Sequence, residues 1–278
     1  MGLLDTVWHR LLRRPYDLDY LETGLGSRAV VLLHGLGTSK EVWQRFMEEL
    51  PQDEWHAIAP DLLGFGASPK PQWNKYTVQE HARMVEALIK RSGIRQPVTI
   101  LGHSMGCLVA AHLAATRPEL VERLVLYEPP LLGDHPDFPD HVKRSERYRA
   151  VFEYIASHPD LAQLENKILW RMAHKISGLY LSAEKWLPFQ RSLRNTILQQ
   201  QSYKELVSLS VPTDIVYGRL DVLVIRRGVQ DMFNHNKNIK LHLVTDIHGI
   251  SARSARYLAG LLAARFKVKK RRKRRKVK

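Results

Sequence analysis

The amino-acid sequence predicts an α/β fold in which helices cover both faces of a mostly parallel sheet. Short apolar segments typical of buried strands alternate with segments of helical periodicity up to residue 130, and again from residue 210. Between these blocks the chain shows helical periodicity without a convincing strand. We therefore expect one α/β core, 16–130 and 210–266, with an inserted helical cap, 131–209, over the carboxyl ends of the strands.

Each element of the core is predicted from apolar patterning and from turn residues at its ends. Strands are predicted over Tyr16–Thr23, Ala29–His34, Trp55–Pro60, Val98–Leu101, Leu120–Tyr127, Thr213–Tyr217 and Ile239–Val244. Helices are predicted over Lys40–Leu50, Thr77–Arg91, from Cys107 to about Arg117, Val222–Asn236 and Ala252–Phe266. Thr77 is expected to cap its helix, because Glu80 follows three residues later and completes a capping box.

Composition indicates a globular protein with reduced thiols. The chain has 278 residues, of which 44% are hydrophobic, so it can bury a large core. Its one cysteine, Cys107, excludes an internal disulfide and fits a reducing compartment. No apolar run is long enough to cross a bilayer, and the first residues lack the pattern of a signal peptide. These features predict a cytoplasmic protein, with or without peripheral attachment to a membrane.

The most informative stretch is Val98–Gly106, which reads VTILGHSMG. A β-type run enters Gly-x-Ser-x-Gly and a helical pattern follows at once, which is the setting of a nucleophile elbow. Such a turn strains the serine backbone and exposes its hydroxyl, while a Cβ at Gly102 or Gly106 would collide with neighbouring backbone. Ser104 is therefore the candidate nucleophile.

The order of several motifs resembles the α/β-hydrolase superfamily over residues 16–266. The motifs are His34-Gly35-Leu36-Gly37 with Trp43, Pro60-Asp61 with Gly64-Phe65-Gly66 and Ser68, Gly102–Gly106, Gly218 with Asp221, and His248. The resemblance implies that His248 takes the proton of Ser104 and that Asp221 orients the imidazole. It also implies an oxyanion hole formed by the backbone N–H groups of Leu36 and Met105.

The acidic member of this set has competitors. Glu128 ends another strand of the same sheet, and either Glu128 or Asp221 is able to reach His248 from there. Asp246 also lies near the histidine in sequence. Asp214 falls within a strand and is expected to be structural.

Other side chains have expected roles that are structural or concern the substrate. Asp61 is expected to stabilise a turn, and His34 to order the oxyanion loop. In the cap, Trp170, Trp186 and Phe189 are candidate lining residues of an apolar acyl pocket, although residues at helical spacing more often pack against one another.

Together these features predict a serine hydrolase that cleaves a small or medium carboxylic ester through an acyl-enzyme on Ser104. No cofactor or metal is implied, since neither a dinucleotide fingerprint nor a Cys/His zinc pattern is present. Two alternatives use the same scaffold: a carbon–carbon bond hydrolase or cofactor-free peroxidase, and a non-catalytic ligand-binding or signalling protein.

Both ends of the sequence carry features outside the α/β pattern. The net charge of +15 comes mostly from residues 267–278, which include ten Lys or Arg and predict a disordered polybasic tail. Residues 1–15 predict an amphipathic helix, Leu3–Leu12, that either packs on the domain or lies at a membrane interface. An anionic membrane surface is the favoured partner of the tail. Nucleic acid is less favoured, because the tail contains no aromatic residue for base stacking.

Overall fold

The computed structural model describes residues 6–132, 139–158, 183–221, 223–224 and 226–275, and its centre is a seven-stranded sheet. The strands are β1 (Tyr20–Thr23), β2 (Arg28–Leu33), β3 (Trp55–Pro60), β4 (Val98–His103), β5 (Val121–Tyr127), β6 (Thr213–Gly218) and β7 (Ile239–Val244). Their spatial order is β1-β3-β2-β4-β5-β6-β7. All neighbours are parallel except β1, which runs antiparallel to β3.

Helices cover both faces of this sheet, which confirms the predicted fold class. They are α1 (Gln44–Glu48), α2 (Val78–Arg91), α3 (Met105–Thr116), α4 (Pro139–Ser157), α5 (Ala183–Ser192), α6 (Ser202–Ser208), α7 (Arg226–His235) and α8 (Ala252–Arg275). Val85 and Leu108 belong to the apolar core on one face, and Phe46 and Leu258 to that on the other. The central strands are buried on both sides, as expected of a parallel sheet between two helical layers.

Most predicted element bounds agree with the structure to within a few residues. The Thr77 capping box is present: Thr77 Oγ1 accepts the Glu80 N–H at 3.2 Å, and Glu80 Oε2 accepts the Thr77 N–H at 3.0 Å. The predicted strand Tyr16–Thr23 is wrong in its first half, since β1 begins at Tyr20. Tyr16 instead packs toward α2, where its N–H approaches Met84 Sδ at 3.1 Å.

The strand order brings the loop after β2 beside the loop after β4. The chain passes from β2 to β3 on one side, and then to β4 on the other side of β2. In such sheets the connections diverge at this point and leave a crevice outside the carboxyl ends of the strands. Residues 34–37 and Ser104 face one another across that crevice.

The described part of the insertion contains only helical and irregular structure. It packs on the segment before α2, where Arg191 Nη1 donates to Asn74 O and Asn195 Nδ2 donates to Lys75 O, both at 2.6 Å. Thr196 Oγ1 adds a bond to Tyr76 O at 2.8 Å. Because α2 starts at the carboxyl side of the sheet, these helices lie on the side of the crevice.

The N-terminal helix differs from its prediction. Only Thr6–Leu11 is helical among the described residues, as a π-helical turn, and it does not bury its apolar stripe. Trp8, Leu11 and Leu12 are 44%, 70% and 58% exposed, whereas Leu3 and Leu4 lie outside the described residues. A six-residue helix is too short to be stable on its own. Its His9 ring stacks on Tyr16, which belongs to the core.

The C-terminal helix is longer than predicted. Helix α8 extends from Ala252 to Arg275, nine residues past the predicted end at Phe266. Lys and Arg are good helix formers, and extending a helix already packed on the core avoids the cost of a new nucleus. Cations in the last turns also interact favourably with the helix dipole. Among the described residues, each helix is too short or too polar to cross a bilayer.

Candidate active site

Ser104 sits at the sharp turn between β4 and α3. Its backbone has φ 51° and ψ −120°, a conformation that strains a residue with a side chain. The turn is so tight that a Cβ on Gly102 would lie 2.6 Å from Gly106 O, and one on Gly106 would lie 2.3 Å from Leu33 O. The two glycines therefore allow strand and helix to meet closely, as the motif predicts.

Ser104, His248 and Asp221 form one hydrogen-bonded chain. Ser104 Oγ lies 2.9 Å from His248 Nε2, and His248 Nδ1 lies 2.8 Å from Asp221 Oδ2. Because a carboxylate only accepts, the imidazole carries its proton on Nδ1, which leaves Nε2 to accept from the serine hydroxyl. All three residues are at most 8% exposed, so little water competes for these bonds.

Glu128 also contacts His248, at a longer distance than Asp221 does. Its Oε2 is 3.4 Å from His248 Nδ1, and it accepts the Gly249 N–H at 3.0 Å. Burial of Glu128, followed by the nearby Asp221 charge, raises the pKa of the Glu128 carboxyl to about 10. Asp221 makes the shorter contact to His248, and the Leu223 N–H fixes its other oxygen at 2.7 Å. The geometry therefore favours Asp221 over Glu128 as the partner of His248.

The loop after β2 is held against the elbow by His34. His34 Nδ1 donates to Gly35 O at 2.8 Å, while its Nε2 accepts the Leu62 N–H at 2.9 Å, as predicted for a residue that orders this loop. Burial lowers the pKa of His34, which keeps the imidazole neutral for these two roles. Gly35 approaches so closely that a Cβ would lie 3.2 Å from Ser104 Cβ.

The predicted oxyanion donors are chain neighbours of the residues that meet at the elbow. Leu36 follows Gly35, and Met105 is the first residue of α3. Neither N–H donates to a backbone carbonyl among the described residues. The N-terminus of α3 adds a partial positive charge at the same point.

The remaining acidic candidates are structural. Asp61 is fully buried and accepts the backbone N–H groups of Lys40 and Ala67, each at 2.8 Å, which matches its predicted turn role. Asp214 pairs with Arg123 at 2.8 Å. Asp246 accepts the Ser251 hydroxyl at 2.8 Å.

One group of side chains has the composition of a metal site, but it overlaps the triad. Ligand atoms of His103, Glu128 and His248 all lie within 4.8 Å of one another. Both ring nitrogens of His248 are already engaged, by Ser104 and by Asp221. A metal ion on this trio would break one of those bonds, so the arrangement suits proton transfer better than metal binding.

Two of the three predicted pocket residues, Trp186 and Phe189, lie in the described part of the insertion. Trp170 lies outside the described residues. Phe189 is 4% exposed within the core on the α2 side, and Trp186 packs half-buried on the same core with its ring centroid 5.7 Å from that of Phe189. These two side chains pack mainly with each other and the core.

Sequence analysis missed two residues next to the triad. Tyr127, the last residue of β5, donates its hydroxyl to Gly249 O at 3.0 Å and so holds the loop that carries His248. His103 is buried with its ring centroid 5.2 Å from that of His248, and burial lowers its pKa well below the usual value. Only the position of each residue in the sequence could have indicated it, since each is the last residue of a central strand beside the elbow.

A family model described as the alpha/beta hydrolase fold matches residues 28–246. The chain belongs to the α/β-hydrolase family. Its relatives include lipase LipV of Mycobacterium tuberculosis, 35% identical over 136 residues that span 49% of this chain and 46% of the lipase. A haloalkane dehalogenase of Bradyrhizobium diazoefficiens is 36% identical over 143 residues, spanning 49% and 45% of the two chains. A probable lysophospholipase of Arabidopsis thaliana, BODYGUARD 4, is 35% identical over 105 residues, 37% of this chain and 25% of that protein.

These matches thus span less than half of the length of each curated relative. Among solved structures, a thermophilic esterase from Thermogutta terrifontis superposes with a TM-score of 0.68 at 22% identity, covering 90% of this chain and 93% of the esterase. An enol-lactonase from Burkholderia xenovorans gives 0.68 at 19% identity, covering 90% and 98%. At these identities the structures establish the fold of this α/β-hydrolase.

Proposed function

We propose that this α/β-hydrolase is a serine hydrolase that cleaves a small or medium carboxylic ester through an acyl-enzyme on Ser104. The observation that carries the proposal is the continuous chain from Ser104 Oγ through His248 to Asp221, with contacts of 2.9 and 2.8 Å. A serine hydroxyl is a weak nucleophile at neutral pH unless an adjacent base takes its proton, and His248 Nε2 is in reach to do so.

In the first half of the reaction, Ser104 Oγ attacks the ester carbonyl carbon while His248 Nε2 takes the hydroxyl proton. The oxyanion that forms accepts hydrogen bonds from the Leu36 and Met105 N–H groups; loss of one such donor typically costs about 3 to 4 kcal/mol. His248 then gives its proton to the leaving alkoxide, the carbon–oxygen bond breaks and the alcohol departs. Asp221 stabilises the imidazolium throughout.

In the second half, a water molecule gives a proton to His248 and attacks the acyl carbon. Collapse of the second oxyanion breaks the bond to Ser104 Oγ, which takes the proton back, and the carboxylic acid leaves. Ser104 and His248 are thereby returned to their starting protonation states. Each proton transfer uses the same nitrogen, since Nδ1 stays bonded to Asp221.

The serine at this position disfavours the reaction named for one relative, the haloalkane dehalogenase. Displacement of halide by Ser104 Oγ would leave an alkyl ether on the enzyme. Water does not hydrolyse an alkyl ether at neutral pH, so turnover would stop after one event. An acyl ester on Ser104, by contrast, is open to attack at its carbonyl carbon.

A fluorophosphonate probe and a series of nitrophenyl esters of increasing chain length test this proposal. We expect wild-type protein to be labelled and to hydrolyse short esters, and Ser104→Ala to lose both. Ser157→Ala, at an exposed serine on α4, is the matched control and should keep them. Folded wild-type protein that neither labels nor hydrolyses any ester would refute the proposal and favour the ligand-binding alternative.

His248→Ala gives a second test within the same assay. Because Ser104 and His248 act as a unit, each single variant and the double variant should lose a similar factor, several orders of magnitude in kcat. If His248→Ala kept most of the activity, the base would have been assigned wrongly.

A further inference from the structure

The polybasic segment leaves the molecule at the end opposite the candidate active site. Helix α8 begins four residues after His248, at the carboxyl ends of the strands. By Leu261 it has reached the amino-end side, because Leu261 O lies 3.4 Å from the guanidinium of Arg123, the third residue of β5. Fourteen further residues, up to Arg275, add about 21 Å of helix, so the last turns extend past the sheet.

We propose that Lys267–Arg275 is a cationic docking helix that binds an anionic lipid surface. Eight of these nine residues are Lys or Arg, so the segment carries a dense positive charge. Basic residues near an anionic bilayer each contribute about a fivefold gain in partitioning.

Lipid headgroups fit these features better than nucleic acid. The docking helix contains no aromatic residue, and base stacking is a large part of single-strand binding. An anionic bilayer attracts basic residues by charge alone and requires no stacked base.

This arrangement places the docking helix and the active-site crevice at opposite ends of the molecule. With the docking helix on the membrane, Ser104 faces away from the lipid, toward bulk solution. The inference does not depend on the proposed function, because it concerns binding and orientation alone.

Cosedimentation of the full chain with vesicles tests the proposal. The vesicles are pure phosphatidylcholine or phosphatidylcholine with 30% phosphatidylserine, at about 0.1 M salt. The docking variant changes Lys269, Lys270, Arg271 and Arg272 to Gln, which is also a good helix former. The control variant changes four exposed residues elsewhere, Lys75, Arg95, Lys204 and Lys237, to Gln and has the same net charge.

We expect wild-type and control protein to bind the anionic vesicles and not the neutral ones, and the docking variant to bind roughly 10³-fold more weakly. Equal binding by the docking and control variants, or no binding by wild type, would overturn the proposal. Tighter binding to a DNA duplex or single strand than to vesicles at the same salt would also overturn it.

Orientation is measured on a fluorophore attached to Leu220→Cys, an exposed position beside Asp221. Cys107 is buried and does not compete for the label. Iodide in solution should quench this fluorophore equally with and without vesicles. Protection from iodide on binding would place the crevice against the lipid and refute the proposed orientation.

Discussion

Replacing Glu128 with glutamine should stabilise the protein relative to wild type, and this gain should grow as the pH rises. The Glu128 side chain is fully buried beside Asp221, and its pKa is raised from the usual 4.5 to about 10. Folding at neutral pH therefore requires this carboxyl to take up a proton. A group whose pKa is raised in the folded state favours folding fully only below its unfolded pKa, and that contribution is lost as the pH rises toward the folded pKa.

The size of the effect follows from the number of protons bound. Between pH 5 and pH 8 the unfolded chain has lost the Glu128 proton and the folded chain keeps it. Each pH unit then costs about 1.4 kcal/mol, so the free energy of unfolding falls by about 4 kcal/mol over this range from Glu128 alone. Glutamine carries no such proton and preserves the shape. Its oxygen can still accept the Gly249 N–H, and its amide brings no charge next to Asp221.

Urea unfolding at pH 5, 6, 7 and 8 measures this prediction. The stability gained by Glu128→Gln should grow by about 4 kcal/mol from the lowest to the highest pH. Glu119→Gln makes the same chemical change at an exposed residue and serves as the control. Parallel stability profiles for wild type and Glu128→Gln would refute the reasoning, since they would mean that Glu128 is already ionised when folded.

Activity provides an independent check on the same variant. Because the short contact to His248 is made by Asp221, Glu128→Gln should keep ester hydrolysis within about threefold of wild type. A loss of a thousandfold or more would identify Glu128 as the essential acid, and the assignment of Asp221 would then be wrong.

Three further variants extend these expectations. Asp221→Asn should lower kcat about 10⁴-fold with little change in melting temperature, because asparagine favours the wrong imidazole tautomer; near-normal turnover would contradict this. Gly106→Ala places a Cβ 2.3 Å from Leu33 O, so soluble expression and melting temperature should both fall sharply, and an unchanged melting temperature would be inconsistent with the tight elbow. Thr77→Ala should cost about 1 kcal/mol in urea unfolding, whereas Thr77→Ser should restore most of it, since serine caps equally well.

The fold could be predicted from sequence because its signals are local. Residues of β type between turn residues predict a strand from local sequence alone, and β3 and β7 have the predicted bounds. The elbow is local too, since the strand, the two glycines and the helix are adjacent in the chain. The pairing of Thr77 with Glu80 depends on three residues of spacing.

The choice between Asp221 and Glu128 depends instead on distances across the sheet. Both residues follow strands at the same edge, and their sequence positions allow either to reach His248. The decision comes from a difference of 0.6 Å in the contact to Nδ1, set by how the loops after β6 and β7 pack. Likewise, the helical spacing of apolar residues near the N-terminus predicts a helix. It does not show whether another part of the fold covers Trp8.

The backbone at Glu128 indicates what the side chain contributes to the site. Glu128 has φ 54° and Ser104 has φ 51°, so the carboxyl ends of two adjacent central strands both hold a residue in a costly conformation. At Ser104 the strain presents the hydroxyl to His248. At Glu128 it turns a buried carboxyl toward Gly249, whose N–H it accepts, while Tyr127 binds the carbonyl of the same residue. Strain and an extra proton both destabilise the fold at neutral pH, and the contact that offsets them fixes the loop that carries the histidine. A glutamine at this position would keep that hydrogen bond, so its effect on stability and its effect on activity should separate.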